Sequence, residues 1–250
     1  MKATSQIMLA IAVACVLSSA AMAATVPTDI KITVLPQDVP DETEPRVNLG
    51  DSPAGYGPDS WQGPATGKTN WHARYLADGD ALSTLFPVEA ATMTINDLDS
   101  ISYFTKRPSG TAAGRDWWIQ IYTRTGTGSD EKSWYGHKYT NNYNDHTDVD
   151  AWTQYSTDGG AMTFSGLAVT GENTLDQLKA AVGSELIEMI SVQTDSGWNG
   201  FDGFIDGLEI TLTDGSVGRV NFEAVPEPAT AALVGLGLVG GVLFLRRRRR

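Results

Sequence analysis

The chain has 250 residues, with 18 Lys and Arg against 30 Asp and Glu and a formal net charge of −12. An acidic surface of this size repels nucleic-acid phosphates and anionic lipid headgroups, which sets nucleic-acid binding aside. The one cysteine, Cys15, lies in the first apolar run, so disulfides, thiolate catalysis and cysteine-based zinc sites are excluded from everything after it.

Lys2 precedes an apolar run over residues 7–17. That run suits the hydrophobic region of a signal peptide and is too short to span a bilayer. The small residues that follow end in Ala21-Met22-Ala23, which places signal-peptidase cleavage after Ala23. Cys15 opens a lipoprotein alternative, but the apolar run continues past it and the better cut lies further on. Residues 1–23 are therefore read as a signal helix, removed on export. The stretch from 24 to 224 then carries 12 basic and 29 acidic residues, a net of −17. This suits an extracellular protein among neutral polysaccharides or divalent cations.

Residues 24–45 are polar and proline-bearing and read as a linker or N-terminal arm, with a short alternating stretch at 30–34. Residues 48–74 read as loop. Strands are expected at 91–95, 100–105 and 117–123. In the last of these, alternation sends Trp118, Gln120 and Tyr122 to one face and Trp117, Ile119 and Ile121 to the other. Further strands are expected at 133–139, 152–156, 162–164, 187–194, 203–212 and 217–222, with Asp214-Gly215 as a hairpin turn between the last two. One short helix is expected, N-capped by Thr174 with Gln177 completing a capping box and Gly183 at its end. Many strands with one helix and no βαβ rhythm give an all-β, antiparallel β-sandwich over residues 46–224.

Two oxygen-rich regions are candidates for structural calcium, a hard cation that takes several oxygen ligands. Asp145, Asp148 and Asp150 lie among Asn141, Asn142 and Asn144, in a spacing that matches no EF-hand; Asp202 and Asp206 follow Asp195. Aromatic side chains are numerous. Trp117 and Trp118, on a strand, are assigned to packing. Trp134, Tyr135 and Trp198, flanked by glycine and polar residues, are the candidates for a sugar-stacking surface. The three histidines have no metalloprotease spacing, and no G-x-S-x-G elbow occurs. Glu209 and Glu223 stand on expected strands, but no motif pairs them for glycoside hydrolysis. No catalytic residue is assigned.

The C-terminal end is the most specific part of the sequence. Val225-Pro226-Glu227-Pro228 leads into 17 uncharged residues, 229–245, and these are followed by five arginines, 246–250. As a helix the uncharged run reaches about 25 Å, near the lower limit for a membrane span. The arginines hold its end on the cytoplasmic side, so the domain lies outside. This order of features resembles the PEP-CTERM sorting signal of exported bacterial proteins. The resemblance implies an exosortase-type partner acting near Pro226-Glu227-Pro228, transient anchoring in the inner membrane by a transmembrane helix, and delivery to the cell surface or extracellular matrix. A plain single-pass anchor is the alternative.

The middle also resembles, loosely, exported jelly-roll domains of concanavalin-like or galactose-binding-like type. The segments that carry this are 99–105, 116–123, 134–136, 152–156, 174–178 and 203–210. That resemblance implies a jelly-roll sandwich. The reading that follows is a surface module that contacts exopolysaccharide or serves a structural role in the matrix. The alternative is a secreted glycan-active hydrolase on the same fold.

Overall fold

The computed structural model describes residues 26–38, 45–63, 74–112, 114–125, 137–195, 198 and 201–224. The expected signal peptide and the sorting segment at 225–250 lie outside the described residues. Among the described residues no helix is long and apolar enough to cross a membrane.

Twelve strands follow one another among the described residues. They are β1 (Asp29–Val34), β2 (Arg46–Asn48), β3 (Ser60–Gln62), β4 (Arg74–Ala77), β5 (Leu98–Lys106) and β6 (Trp118–Arg124). Then come β7 (Lys138–Asn141), β8 (Thr153–Ser156), β9 (Phe164–Ser165), β10 (Leu186–Gln193), β11 (Phe204–Leu212) and β12 (Val217–Phe222). Two helices interrupt them, α1 (Gly79–Leu85) and α2 (Leu175–Val182). The strands form a seven-stranded sheet, β1-β12-β11-β3-β2 with β5 and β8 joined through β11, and a five-stranded sheet, β4-β10-β6-β7-β9.

One apolar core joins the two sheets. Ile101, Tyr103, Ile205, Leu208, Val220 and Phe222 enter it from the first, and Ile119, Ile121, Tyr139, Phe164, Ile190 and Val192 from the second. Each is fully buried, and burial of one such side chain is worth about 1.5–3 kcal/mol. The period-2 alternation of β6 is what makes this possible: Ile119 and Ile121 point into the core, while Trp118, Gln120 and Tyr122 are left on the opposite face.

Several expectations are corrected. The segment 91–95 is not a strand. Residues 87–92 turn, Thr94 makes an isolated bridge to Leu186, and a 3₁₀ turn follows at Ile95–Asp97. Asp97 Oδ2 accepts both the Thr94 amide and hydroxyl (2.7 and 2.8 Å), so a local side-chain cap outcompetes the extended pairing that alternation suggested. The arm ahead of the domain contributes β1, which lies parallel to β12 from Asp29↔Val217 to Val34↔Phe222. The sandwich is thus not purely antiparallel. Within 48–74, read as loop, β3 pairs with both β2 and β11 and sends Trp61 into the core.

Among the described residues there are two α-helices, not one. Seven residues beginning with glycine gave α1 no legible periodicity, but Asp78 caps it by accepting from the Asp80 and Ala81 amides. α1 closes one end of the sandwich against β1 and β12 of one sheet and β4 and β10 of the other. α2 forms with the expected capping box. Its Gly183 is right-handed (φ −57°) and is needed for close approach, since a Cβ there would stand 2.1 Å from Asn96 Oδ1. The β11–β12 hairpin turns at Asp214-Gly215, where Gly215 takes φ +91°.

Candidate functional site

The outer face of the five-stranded sheet forms an open groove of about 600 Å³. Its floor follows from strand register. Gln193 of β10 stands opposite Trp118 of β6, Gln120 opposite Thr140 of β7, and Tyr122 opposite Lys138, with Ser165 of β9 beyond Thr140. Because each strand alternates, these side chains share one face.

The floor is wired together. Gln120 Oε1 accepts from Tyr122 OH (2.5 Å) and from Gln193 Nε2 (2.8 Å), and Gln120 Nε2 donates to Thr140 Oγ1 (2.6 Å). These partners fix which way the Gln120 amide faces. Gln120, Tyr122 and Gln193 are each buried to within a few per cent, yet they line the groove. Directional donors and acceptors are therefore held in fixed positions on this face.

Trp118 and Tyr143 form an aromatic wall at one end, ring centroids 4.3 Å apart and nearly edge to face. Trp198 packs against both, at 5.8 and 5.6 Å, and against Phe201 at 5.5 Å. Trp118 Nε1 is buried with no hydrogen-bond partner among the described residues. The phenol of Tyr143 is pushed above its ordinary ionisation range, first by burial and then by the negative charge of Asp195.

Two buried polar clusters hold the groove at its ends. Beyond the Trp118 end, the turn Tyr143–Asp145 is followed by His146, whose ring stacks on Tyr155 at 3.4 Å and 11°. His146 Nδ1 meets Asp116 Oδ2 at 3.0 Å, and the same oxygen accepts from Thr105 Oγ1 at 2.8 Å. This peg ties the turn that bears Tyr143, Asn144 and Asp145 to β5 and to the start of β6. At the Tyr122 end, Glu185 accepts from Thr123 Oγ1 (2.5 Å) and Tyr139 OH (2.7 Å) and meets His137 Nδ1 (2.8 Å). Burial, followed by the Glu185 hydrogen bond and charge, raises the Tyr139 phenol above its ordinary range. Neither cluster was singled out from sequence, because their members are scattered from Thr105 to Glu185 and nothing in local spacing links them.

Of the candidate sugar-stacking residues, Trp198 belongs to the aromatic cluster, while Trp134 and Tyr135 lie outside the described residues. The assignment of both Trp117 and Trp118 to packing is corrected. Trp117 is fully buried, its indole donating to Gly203 O at 2.9 Å, but Trp118 lines the groove. The signal was present in the alternation, which put the two on opposite faces.

The calcium candidates do not converge. Asp145 lines the groove and accepts from Asn142 Nδ2 at 2.8 Å. Asp148 is exposed. Asp150, at φ +60°, caps the Ser109 amide at 2.8 Å, and that bond holds its carboxyl below the ordinary range. Asp202 pairs with Arg46 at 2.7 Å. Asp206 is buried, and its Oδ1 accepts the Gly207 and Phe222 amides. Among the described residues no three His, Cys, Asp or Glu side chains gather as a metal-binding group. Glu209 and Glu223 lie on the other sheet: Glu209 pairs with Arg219, and Glu223 is buried at the end of β12.

The groove presents fixed amides and hydroxyls beside an aromatic wall. No curated protein and no solved structure matches the chain. Residues 224–250, beginning one residue after the buried Glu223, match the PEP-CTERM protein-sorting motif, which marks the chain for export and surface sorting by an exosortase-type system.

Proposed function

We propose that the chain is a surface or matrix module that binds polysaccharide in the groove of the five-stranded sheet, on a sandwich of jelly-roll kind. The observation that supports this most is the Gln120 network beside Trp118 and Tyr143. Sugar rings present C–H faces that lie on indole and phenol rings, and hydroxyls that need directional partners. A groove with a hydrogen-bonded floor and an aromatic wall offers both. Its open form admits a chain passing through.

The test is retention of the full chain on a panel of insoluble polysaccharides, compared with Trp118→Ala. Expected is retention by the parent on at least one polymer and a loss of tenfold or more in the variant. Equal retention of both would remove the groove from the reading. Release of reducing ends during the same incubation would assign hydrolysis instead, for which the carboxylates lining the groove, Asp145, Glu172 and Asp195, supply candidates.

The sorting segment is read as a transient address, cut near Pro226-Glu227-Pro228. Mass spectrometry of the protein from its host is expected to show the arginine cluster missing. An intact cluster on the mature protein would show a permanent anchor.

A further inference from the structure

A second hollow opens beside the groove. Residues 108–112 and Arg115, between β5 and β6, border about 420 Å³ together with Phe201 and Asp202. The two hollows share a border. Phe201, which lines the second, packs on Trp198 at 5.5 Å, and Trp198 packs on Trp118 and Tyr143, which line the first. Next to Arg115, Gly114 takes φ +73°, and a Cβ there would stand 3.1 Å from Oδ1 of Asn144, another groove residue. The segment between β5 and β6 thus lies against the turn that bears Tyr143–Asp145, and a chain that crosses this border leaves one hollow for the other.

The charges around the second hollow are unequally engaged. Among the described residues lining it, Asp202 is the only acid and Arg115 the only base. Asp202 Oδ1 accepts from Arg46 Nη2 at 2.7 Å and from Gln62 Nε2 at 3.4 Å. Asp150, which reaches the same segment, is held by the Ser109 amide at 2.8 Å and by the Ser109 hydroxyl. Arg115 joins no ion pair among the described residues. Arg107, at the root of the segment, is buried and joins none either, and its Nε has no hydrogen-bond partner. In a chain of formal net charge −12, the two acids beside this segment have partners while its two arginines have no ion pair. A guanidinium meets a carboxylate through a flat, two-pronged set of N–H donors. The Thr111 hydroxyl, on the same lining, adds a donor and an acceptor for sugar hydroxyls.

We propose that this hollow is a second subsite of the groove, and that Arg115 takes a carboxylate-bearing sugar of the bound chain there. This rests on the groove being the glycan site. It adds the class of polymer, one that carries uronic-acid units among neutral ones. The carboxylates Asp145, Glu172 and Asp195 line the first hollow and not the second, which puts the acidic unit beyond the aromatic wall rather than along the floor.

The experiment is calorimetric titration of the full chain with hexamers of glucose, of xylose and of mannose, each carrying glucuronic acid at one end or the other, or glucose in its place. Expected, in at least one series, is binding of the acidic hexamer about tenfold or more tighter than its neutral match, by a gap that shrinks with added salt. Arg115→Gln is expected to close the gap. Arg115→Lys, which keeps the charge but not the fork, is expected to keep part of it. Trp118→Ala is expected to weaken both hexamers, since one chain crosses both hollows. Equal binding of the matched hexamers in every series, or a gap that Arg115→Gln keeps, overturns the subsite and leaves the groove reading standing. An acidic hexamer whose binding ignores Trp118→Ala shows a pocket separate from the groove and overturns the subsite as well. No binding of any hexamer overturns it too, and together with polysaccharide retention unchanged by Trp118→Ala it overturns the groove reading.

Discussion

The outer faces of the two sheets are treated differently. That of the seven-stranded sheet is closed by the loop at 49–59. Tyr56 lies against Gly207 and Phe104, the Gly57 amide donates to Asn221 Oδ1, and the Asp59 amide donates to Glu223 Oε2. Asp51 accepts from Trp152 Nε1 at 2.9 Å and pairs with Lys106, while Arg219 bridges Asp29 and Glu209. Polar groups there are consumed by one another. On the five-stranded sheet the described residues leave the groove open, its floor bonded along the face. The difference separates polar residues that close a structure from polar residues that present a surface. Residue type alone does not separate them, since Asp, Asn and Trp occur on both faces.

The closed face has a cost that can be measured. Asp206 is buried close to Tyr56, and its carboxyl is raised to about 7, chiefly by desolvation, with the nearby Glu223 charge adding to it and two backbone amides and Lys31 opposing. Its Oδ2 is buried without a partner among the described residues. In the unfolded chain an aspartate titrates near 3.9. Below that value both states hold the proton. Between about 4 and 7 the folded state still holds a proton that the unfolded state has released, so stability falls as pH rises through this window. At about 1.4 kcal/mol per unit the whole effect is on the order of 4 kcal/mol. Other carboxylates have their own trends, so the readout is the difference between the parent and Asp206→Asn in denaturant unfolding. That difference is expected to shift toward the variant by a few kcal/mol from pH 4.5 to pH 8. A difference that does not change with pH would show Asp206 titrating as an exposed residue does.

The groove was half legible in the sequence, and the reason is geometric. Alternation in 117–123 put Trp118, Gln120 and Tyr122 on one face, and that is the face the groove uses. It does not say which face is inside, because a strand with two tryptophans and two isoleucines is apolar on both sides. Partner strands decide. Val192, Tyr139 and Phe164 cover the Ile119–Ile121 side, while Gln193, Thr140 and Ser165 flank the other. Those pairings span up to 75 residues of sequence, from Trp118 to Gln193. The capping box of α2 and the Asp214-Gly215 hairpin were legible for the opposite reason, since their partners lie within four residues. β1 was visible as alternation but not as a member of the sheet, because its partner β12 lies at the far end of the domain.

A smaller and more selective effect would sharpen the contrast between the faces. Gln120 is the hub of the groove floor, with three side-chain partners. Gln120→Leu keeps an apolar body at the position but frees the Tyr122 hydroxyl and the Gln193 amide to turn toward solvent. Because the groove is open, water can satisfy both, so the stability loss is expected to stay near the net value of one or two hydrogen bonds, about 1–2 kcal/mol. Binding has no such substitute. A ligand that meets a disordered floor must order it, and the expected loss is about tenfold, or roughly 1.4 kcal/mol. Arg219→Met on the closed face is the control. It breaks two partly exposed ion pairs, for a stability change of about 1 kcal/mol or less, and should leave binding where it was. If both variants lowered binding in proportion to their loss of stability, the groove floor would be one more set of polar groups holding the fold, and the contrast between the two faces would disappear.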